Sequence, residues 1–271
     1  MRNLLSCTLI MLLLAPMTSG CASKYGPQQT SVHYYPACYR PISTLRESEQ
    51  RVASSTAGGA AIGAVGGALL GLLASGGEAK GALIGAVAGG AAGAVTGNIM
   101  GKHQKIADDN RRMASYLQDI EGNISGLDIT SASARAALQC YDRQFRLLLK
   151  DIRARRVSRR QAEHMFAEIQ SGTREAASLL GSAADNGRNL ERQYRDALAQ
   201  EERRLSAPAA SRGTRSSASA AASRASLQKA QKRTSDLNRR VDRIADEQTA
   251  AQRQADAQSR ELAEALASSQ V

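Results

Sequence analysis

The sequence predicts an all-α protein, in which a glycine-zipper helical hairpin is followed by long amphipathic helices and a C-terminal coiled-coil helix. Composition is the first observation: the 271 residues include no Trp and only two Phe, and 23% of them are charged. Few large apolar side chains among many helix-forming residues favour elongated helices over an enclosed globule. The other two observations are a run of glycines at four-residue spacing and a long stretch of helical apolar periodicity.

The N-terminus predicts a signal peptide over residues 1–20, because Arg2 precedes a short apolar run at 4–15. The Thr-Ser-Gly-Cys sequence that ends at Cys21 resembles a bacterial lipobox, so Cys21 is the expected lipidation site. The alternative is ordinary cleavage before Cys21, which would leave a plain thiol.

The expected location is the outer membrane, where the chain would be lipid-anchored and face the periplasm. Ala22, rather than aspartate, follows the cysteine, and in lipoproteins this implies outer-membrane transport. The inner membrane and the cell surface are the alternatives. The formal charge of +11 attracts anionic surfaces. In an envelope these are lipid phosphates, lipopolysaccharide or acidic polymers, and nucleic acid is not an expected partner.

A flexible tether is predicted over residues 21–50, which are rich in Pro, Ser, Gln and Tyr and lack a sustained period. Once the signal peptide is removed and Cys21 is acylated, Cys38 and Cys140 remain. The oxidising compartment permits a disulfide between them. Two free thiols are the alternative, since sequence gives no distance.

Residues 51–101 are expected to form a helical hairpin of two apolar, glycine-rich helices. Small residues at four-residue spacing allow helix backbones to approach closely, while valine, isoleucine and leucine form the opposite stripe. The stripe of the second helix contains Leu83, Val87, Val95 and Ile99. The predicted zipper glycines are Gly59, Gly63, Gly67, Gly71, Gly81, Gly85, Gly89, Gly93, Gly97 and Gly101.

Membrane contact of this hairpin is expected from its length, because each uncharged segment of roughly 18–21 residues can cross a hydrocarbon core. Glycine and alanine add little hydrophobicity, so each segment is only a marginal span. The alternative is a hairpin whose valine and isoleucine stripe packs on the downstream helices.

A lipobox-like cysteine followed by two glycine-zipper helices resembles the glycine-zipper outer-membrane lipoproteins, a group similar to the rickettsial 17-kDa surface antigen and SlyB-like proteins. The resemblance covers about residues 15–101. It implies a role in envelope integrity or in membrane-associated oligomers, and it implies no reaction.

Residues 102–205 are predicted to be a helical domain. An amphipathic helix from Lys102 is expected to break near Gly122, Asn123 and Gly126, and a second to start at Asp128, a good N-cap residue. A third is expected to begin near Ser158 and to run to about Leu205.

A disordered linker is predicted over the low-complexity residues 206–226, followed by a coiled-coil helix at 227–271. Its weak apolar positions after Ile244 indicate modest stability or the need for a partner. One heptad frame contains Leu227, Ala230, Thr234, Leu237, Val241, Ile244, Gln248, Ala251, Ala255, Gln258, Leu262 and Ala265.

No catalytic or metal-binding pattern emerges, so neither an enzyme nor a cofactor is expected. The three histidines, His33, His103 and His164, lie far apart and outside metal-ligand spacing, and solvated histidine is the favoured interpretation.

A basic cluster is the most pronounced charged feature, and contact with anionic headgroups is one interpretation of it. The other is a solvated helix end that pairs with acidic segments such as 196–202. The cluster comprises Arg143, Arg146, Lys150, Arg153, Arg155, Arg156, Arg159 and Arg160.

These observations predict a non-enzymatic envelope lipoprotein whose zipper associates with membrane lipid and with other copies of itself, and whose helices form a periplasmic scaffold. Two alternatives stay open: a secretion- or conjugation-apparatus lipoprotein that docks through its coiled coil, and a pore-forming or membrane-permeabilising protein.

Overall fold

The computed structural model describes residues 27–54, 99, 103, 106–207 and 217–268. Four helices contain most of them: α1 (Pro36–Ser54), α2 (Asp109–Arg153), α3 (Arg159–Ser206) and α4 (Ser217–Ser268). No strand occurs within these described ranges, and the all-α prediction is confirmed.

Helices α2, α3 and α4 form a three-helix bundle in which each packs against the other two. At 1.5 Å per residue they are about 70–80 Å long. Cross-helix pairs fix their directions. Arg112 at the start of α2 meets Glu201 near the end of α3, and Asn110 meets Ser219 at the start of α4. Thus α2 and α4 run parallel to each other, and α3 runs antiparallel to both.

The core consists of the apolar stripes of these three helices. On α2, Met113, Ile120, Tyr141 and Phe145 are at most 2% exposed. Every position of the heptad frame predicted on α4 is buried except Gln248, which is partly exposed. The frame therefore faces α2 and α3, and its partner is the same chain.

The predicted break in α2 is wrong, because the helix continues through Gly122, Asn123 and Gly126. The Asn123 amide donates to the Asp119 carbonyl at 2.9 Å and to the Tyr194 hydroxyl at 2.7 Å. A side chain that often competes with helical hydrogen bonds thus finds its partners inside the helix and the core.

The boundaries of α2 also differ from the prediction. The helix begins at Asp109 rather than at Lys102, since the Asp108 carboxylate accepts from the Arg111 backbone N–H at 2.8 Å and caps it. Asp128, the expected second N-cap, instead accepts from Arg240 of α4. Ser158 caps α3 at the position that the sequence predicted.

Part of the predicted disordered linker is helical. Residues 217–226 form the first turns of α4 and Ser206 ends α3, whereas 208–216 lie outside the described residues. Alanine dominates the helical part, and it has the highest helix propensity. Ser223 anchors it by donating to the Asn110 side chain at 2.7 Å.

The predicted flexible tether is corrected over residues 27–50, where the chain packs on the bundle and α1 begins at Pro36. Proline is well tolerated at the first helical position, because its missing N–H would have no helical partner there. The apolar face of α1, with Ile42 and Leu45 at 0% and 3% exposure, joins the core.

Candidate functional site

The predicted basic cluster lies at the end of the bundle where α2 turns into α3, and we call this region the basic end. All eight of its cationic side chains are exposed. Arg143, Arg146 and Lys150 share one exposed stripe of α2, because residues three and four apart lie on one helix face. Leu147 lies within this stripe and is 51% exposed.

The turn at the basic end has a backbone conformation that usually belongs to glycine. Arg155 has φ 53°, and its N–H donates to the Ile152 carbonyl while the Arg156 N–H donates to the Asp151 carbonyl, both at 2.9 Å. This is the Schellman helix ending. A side chain in the left-handed region costs about 1–2 kcal/mol, so arginine ends α2 at an energetic disadvantage.

Three acidic side chains neutralise part of the basic end. Asp142 pairs with Arg146 at 2.7 Å, Asp151 with Arg156 at 2.5 Å and Glu163 with Arg159 at 3.0 Å. Among the described residues, no ion pair involves the remaining five cations, which are Arg143, Lys150, Arg153, Arg155 and Arg160.

The expected pairing of the basic cluster with segment 196–202 is wrong. That segment lies at the far end of α3, where Glu201 binds Arg112. The last turns of α4 carry two exposed acidic residues, Glu261 and Glu264.

An exposed tyrosine lies near the basic end. Tyr34 is 45% exposed, and its ring centroid is 6.2 Å from that of Tyr35. Burial raises the pKa of Tyr35 to about 12, with smaller contributions from the negative charges of Glu168 and Asp151. Asp151 belongs to the last turn of α2, so this tyrosine pair and the cations occupy the same part of the surface.

Two buried glutamates of α3 hold the N-terminal arm, residues 27–35. Glu168, 4% exposed, accepts the backbone N–H groups of His33 and Tyr34 on one oxygen and that of Tyr35 on the other, at 2.6–2.8 Å. Three charge-assisted hydrogen bonds satisfy this carboxylate and fix the chain just before α1.

Glu175 is fully buried and binds the arm a second time. It accepts from the Thr30 N–H at 2.8 Å, from the Tyr39 hydroxyl at 3.0 Å and from the Arg46 guanidinium at 2.6 Å. The arm therefore extends from Glu175 to Glu168, towards the basic end, and α1 then returns to Glu175.

Cys38 and Cys140 are joined by a disulfide that connects α1 to α2, with 5.2 Å between their Cα atoms. Cys38 is 1% exposed. The bond lies beside the hydrogen bond that Tyr39 donates to Glu175, so a covalent and a polar attachment hold the same turn of α1. The N-terminal arm and the first turns of α1 are thus fixed to both α2 and α3.

The opposite end of the bundle holds two described residues at the end of the predicted zipper, Ile99 and His103. Ile99, from the apolar stripe of the second zipper helix, is 1% exposed and belongs to the core. His103 is fully buried. Its Nε2 lies 3.0 Å from Asp119, and its ring centroid is 3.9 Å from that of Tyr116. The expectation of a solvated His103 is wrong, whereas His33 and His164 are exposed.

A buried arginine closes this end. Arg112 is 2% exposed and donates to both carboxylate oxygens of Glu201 at 2.9 Å, to Asp109 and to the Ile106 carbonyl at 2.7 Å. Such planar, two-point pairing suits the guanidinium group. It joins the start of α2 and the end of α3 to the chain that arrives from the zipper.

The residues that hold the arm and the chain leaving the zipper were not predicted from the sequence. Glu168 and Glu175 did carry a signal, since they are seven residues apart beside the apolar positions Ile169 and Ala176. Acidic residues at heptad spacing next to a core stripe point to one buried edge of a helix. Their partners are more than a hundred residues away, which no local pattern reveals.

Cys21 and the ten zipper glycines lie outside the described residues. Within the described ranges, no group of three or more His, Cys, Asp or Glu side chains is arranged to hold a metal ion. No helix in the same ranges combines the length and apolar character that crossing a membrane requires.

Comparison with known proteins finds a similar family for the N-terminal third of the chain only. No curated protein and no solved structure is significantly similar to the chain. Residues 1–101 match a family model described as YMGG-like Gly-zipper, which confirms the resemblance to glycine-zipper proteins. The chain is therefore similar over these residues to the YMGG-like Gly-zipper family, and this similarity indicates a membrane-associated envelope protein.

Proposed function

We propose that the protein is a non-enzymatic lipoprotein of the bacterial outer membrane, anchored at Cys21 and facing the periplasm. Its glycine zipper associates with membrane lipid and with zippers of other copies, and its bundle is a rigid periplasmic scaffold. The observation that carries the proposal is the glycine-zipper match over residues 1–101. It joins a signal-peptide pattern and a lipobox-like cysteine in one segment.

The disulfide supports the periplasmic location in this proposal. Disulfides persist in oxidising compartments such as the periplasm and are rare in the cytosol. The Cys38–Cys140 bond encloses the whole predicted zipper between its two cysteines, which are 102 residues apart. A zipper inserted in lipid would thus leave the bundle after α1, which the disulfide holds, and return to it where Arg112 binds Glu201 and the Ile106 carbonyl.

The buried Ile99 limits how the second zipper helix meets the membrane. A side chain packed in the bundle core is not available to lipid, so a membrane-inserted segment would end before Ile99. That leaves about 18 residues from Gly81, close to the minimum for a span. The scaffold thus holds the zipper at the membrane boundary.

The bundle favours a scaffold over an apparatus-docking coiled coil. The apolar frame that would dock a partner is buried against α2 and α3, with Leu237 and Val241 fully buried. A partner that used this frame would have to displace two helices of the same chain.

Fractionation and cross-linking test this proposal. Cys21→Ser should move the protein from the outer-membrane fraction towards the soluble periplasm. Gly85→Leu with Gly89→Leu should abolish cross-linked oligomers, because leucine prevents close backbone contact. Val87→Leu, on the opposite stripe, is the matched control and should retain them. Oligomers that survive both glycine substitutions would refute self-assembly through the zipper.

A further inference from the structure

The basic end combines unpaired cations with exposed apolar side chains. Five of its cations have no ion pair among the described residues, and Leu147 and Tyr34 are the two most exposed large hydrophobic side chains of those residues. A leucine gains free energy on entering an apolar phase, and the cations around it gain free energy beside negative charge. That combination is typical of proteins that bind the interface of an anionic bilayer.

The proposed anchor at Cys21 lies within reach of this end. Pro27 lies beside Glu175, because its carbonyl accepts from Arg46, which also binds that carboxylate. Glu175 is 16 residues from the start of α3 and 31 from its end, or about 24 Å and 46 Å. Pro27 is six residue steps from Cys21, which span at most about 20 Å. An extended link can therefore bring the lipid on Cys21 to within about 4 Å of the level of the basic end, whereas it stops about 26 Å short of the opposite end.

The strained turn supplies an independent reason to look for a ligand here. Glycine would occupy the left-handed position of Arg155 without a steric cost. Arginine there lowers stability and adds a cation at the tip of the basic end. A residue that opposes stability at a surface position points to a role outside the fold.

We propose that the basic end is a second membrane-contact site, which binds the headgroups of an anionic phospholipid bilayer through its unpaired cations and inserts Leu147 and Tyr34 at the interface. This inference rests on the proposed lipid anchorage at Cys21. The bundle then meets the bilayer at its basic end and tilts towards the side of α2, because the stripe of Arg143, Leu147 and Lys150 is on that side rather than at the tip.

A fluorescent reporter tests the contact directly. Full-length lipidated protein carrying Leu147→Cys, labelled with an environment-sensitive nitrobenzoxadiazole dye, is reconstituted into vesicles of phosphatidylglycerol and phosphatidylethanolamine or of phosphatidylcholine. We expect blue-shifted, brighter emission in the anionic vesicles only, with reversal by added NaCl. A label at the exposed, mid-bundle position Asn189 is the control and should respond in neither.

Charge variants supply the matched comparison. Neutralising Arg143, Lys150 and Arg153 to Gln should lower the equilibrium constant for contact about 100-fold, since each cation near an anionic surface contributes about 1 kcal/mol. Arg192, Arg203 and Lys229 are also exposed and lie away from the basic end. Their neutralisation removes the same net charge and should leave the emission unchanged.

Arg155→Gly separates a binding role from a structural one. Glycine relieves the left-handed strain, so the unfolding midpoint should not fall, whereas the emission shift should weaken. If the shift is unchanged while stability rises, Arg155 has no part in the contact.

The outcomes distinguish this inference from the proposed function. Protein that does not co-sediment with any vesicle would refute the lipid anchorage on which the inference rests. Co-sedimentation with equal emission in anionic and neutral vesicles would refute the basic-end contact alone. A shift produced by soluble poly-glutamate without vesicles, as large as with them, would instead assign the site to an acidic polymer.

Discussion

At the scale of single residues, the bundle separates two glycines that look alike in sequence. Gly172 of α3 lies directly beneath the ring of Tyr141, so that an added Cβ would overlap the ring carbons. Gly126 of α2 faces open space. Glycine at Gly172 is thus required by a close helix approach, whereas at Gly126 it only weakens the helix.

This contrast predicts opposite effects of the same substitution. Gly172→Ala should lower the free energy of unfolding by about 1–3 kcal/mol, because Tyr141 is fully buried and has no room to move. Gly126→Ala should raise it by about 0.5–1 kcal/mol through helix propensity. Guanidinium unfolding followed by circular dichroism measures both. Equal effects of the two changes would contradict the packing described at Gly172.

At the scale of elements, the N-terminal arm and α1 are held by three kinds of attachment. The disulfide joins α1 to α2, the buried carboxylates Glu168 and Glu175 bind the arm to α3, and the apolar face of α1 enters the core. An arm that sequence composition marks as a tether is therefore a structural part of the bundle.

Loss of the disulfide should weaken this element without abolishing the fold. Cys38→Ser should lower the free energy of unfolding by about 2–5 kcal/mol, since the bond closes a loop of 102 residues in the unfolded chain. Cys140→Ser and the double variant should cost the same, because all three remove one bond. Additive losses would indicate that the cysteines act separately. Non-reducing gels of the wild type supply the control for oxidation.

At the scale of the whole molecule, the three long helices form one bundle with different attachments at its two ends. The basic end carries the unpaired cations, and the other end, about 70 Å away, holds Ile99 and His103 at the exit of the zipper. Arg112 and Glu201 close that second end.

Removal of α4 should therefore unfold the bundle instead of removing an independent arm. Deleting residues 217–271 exposes the faces of α2 and α3 that cover Leu237, Val241 and Ile244, all at most 2% exposed. We expect loss of a cooperative thermal transition and strong binding of an apolar dye.

The matched point variant is Leu237→Ala in the full chain. It should retain cooperative unfolding at a cost of about 2–5 kcal/mol. A truncated chain that still unfolds cooperatively with the wild-type midpoint would show that α4 is a separate unit.

Sequence by itself determined the helical class, the start of α3 at Ser158 and the buried frame of α4, because local periodicity reports which face of a helix is apolar. It also located the cations of the basic end. It did not determine what covers each face. The continuity of α2 depends on Asn123 bonding across to Tyr194, and the order of the arm depends on Glu168 and Glu175.

The same limit applies to the partner of α4 and to His103. A weak heptad frame is compatible with a second copy, a foreign protein or its own chain, and only packing against α2 and α3 decided among these. Likewise, no pattern around His103 shows that Asp119 and Tyr116 enclose it. Periodicity is a local property of the chain, so the sequence by itself determines which face of a helix is apolar. Contacts between distant residues form only in the tertiary structure, which therefore decides what covers each face.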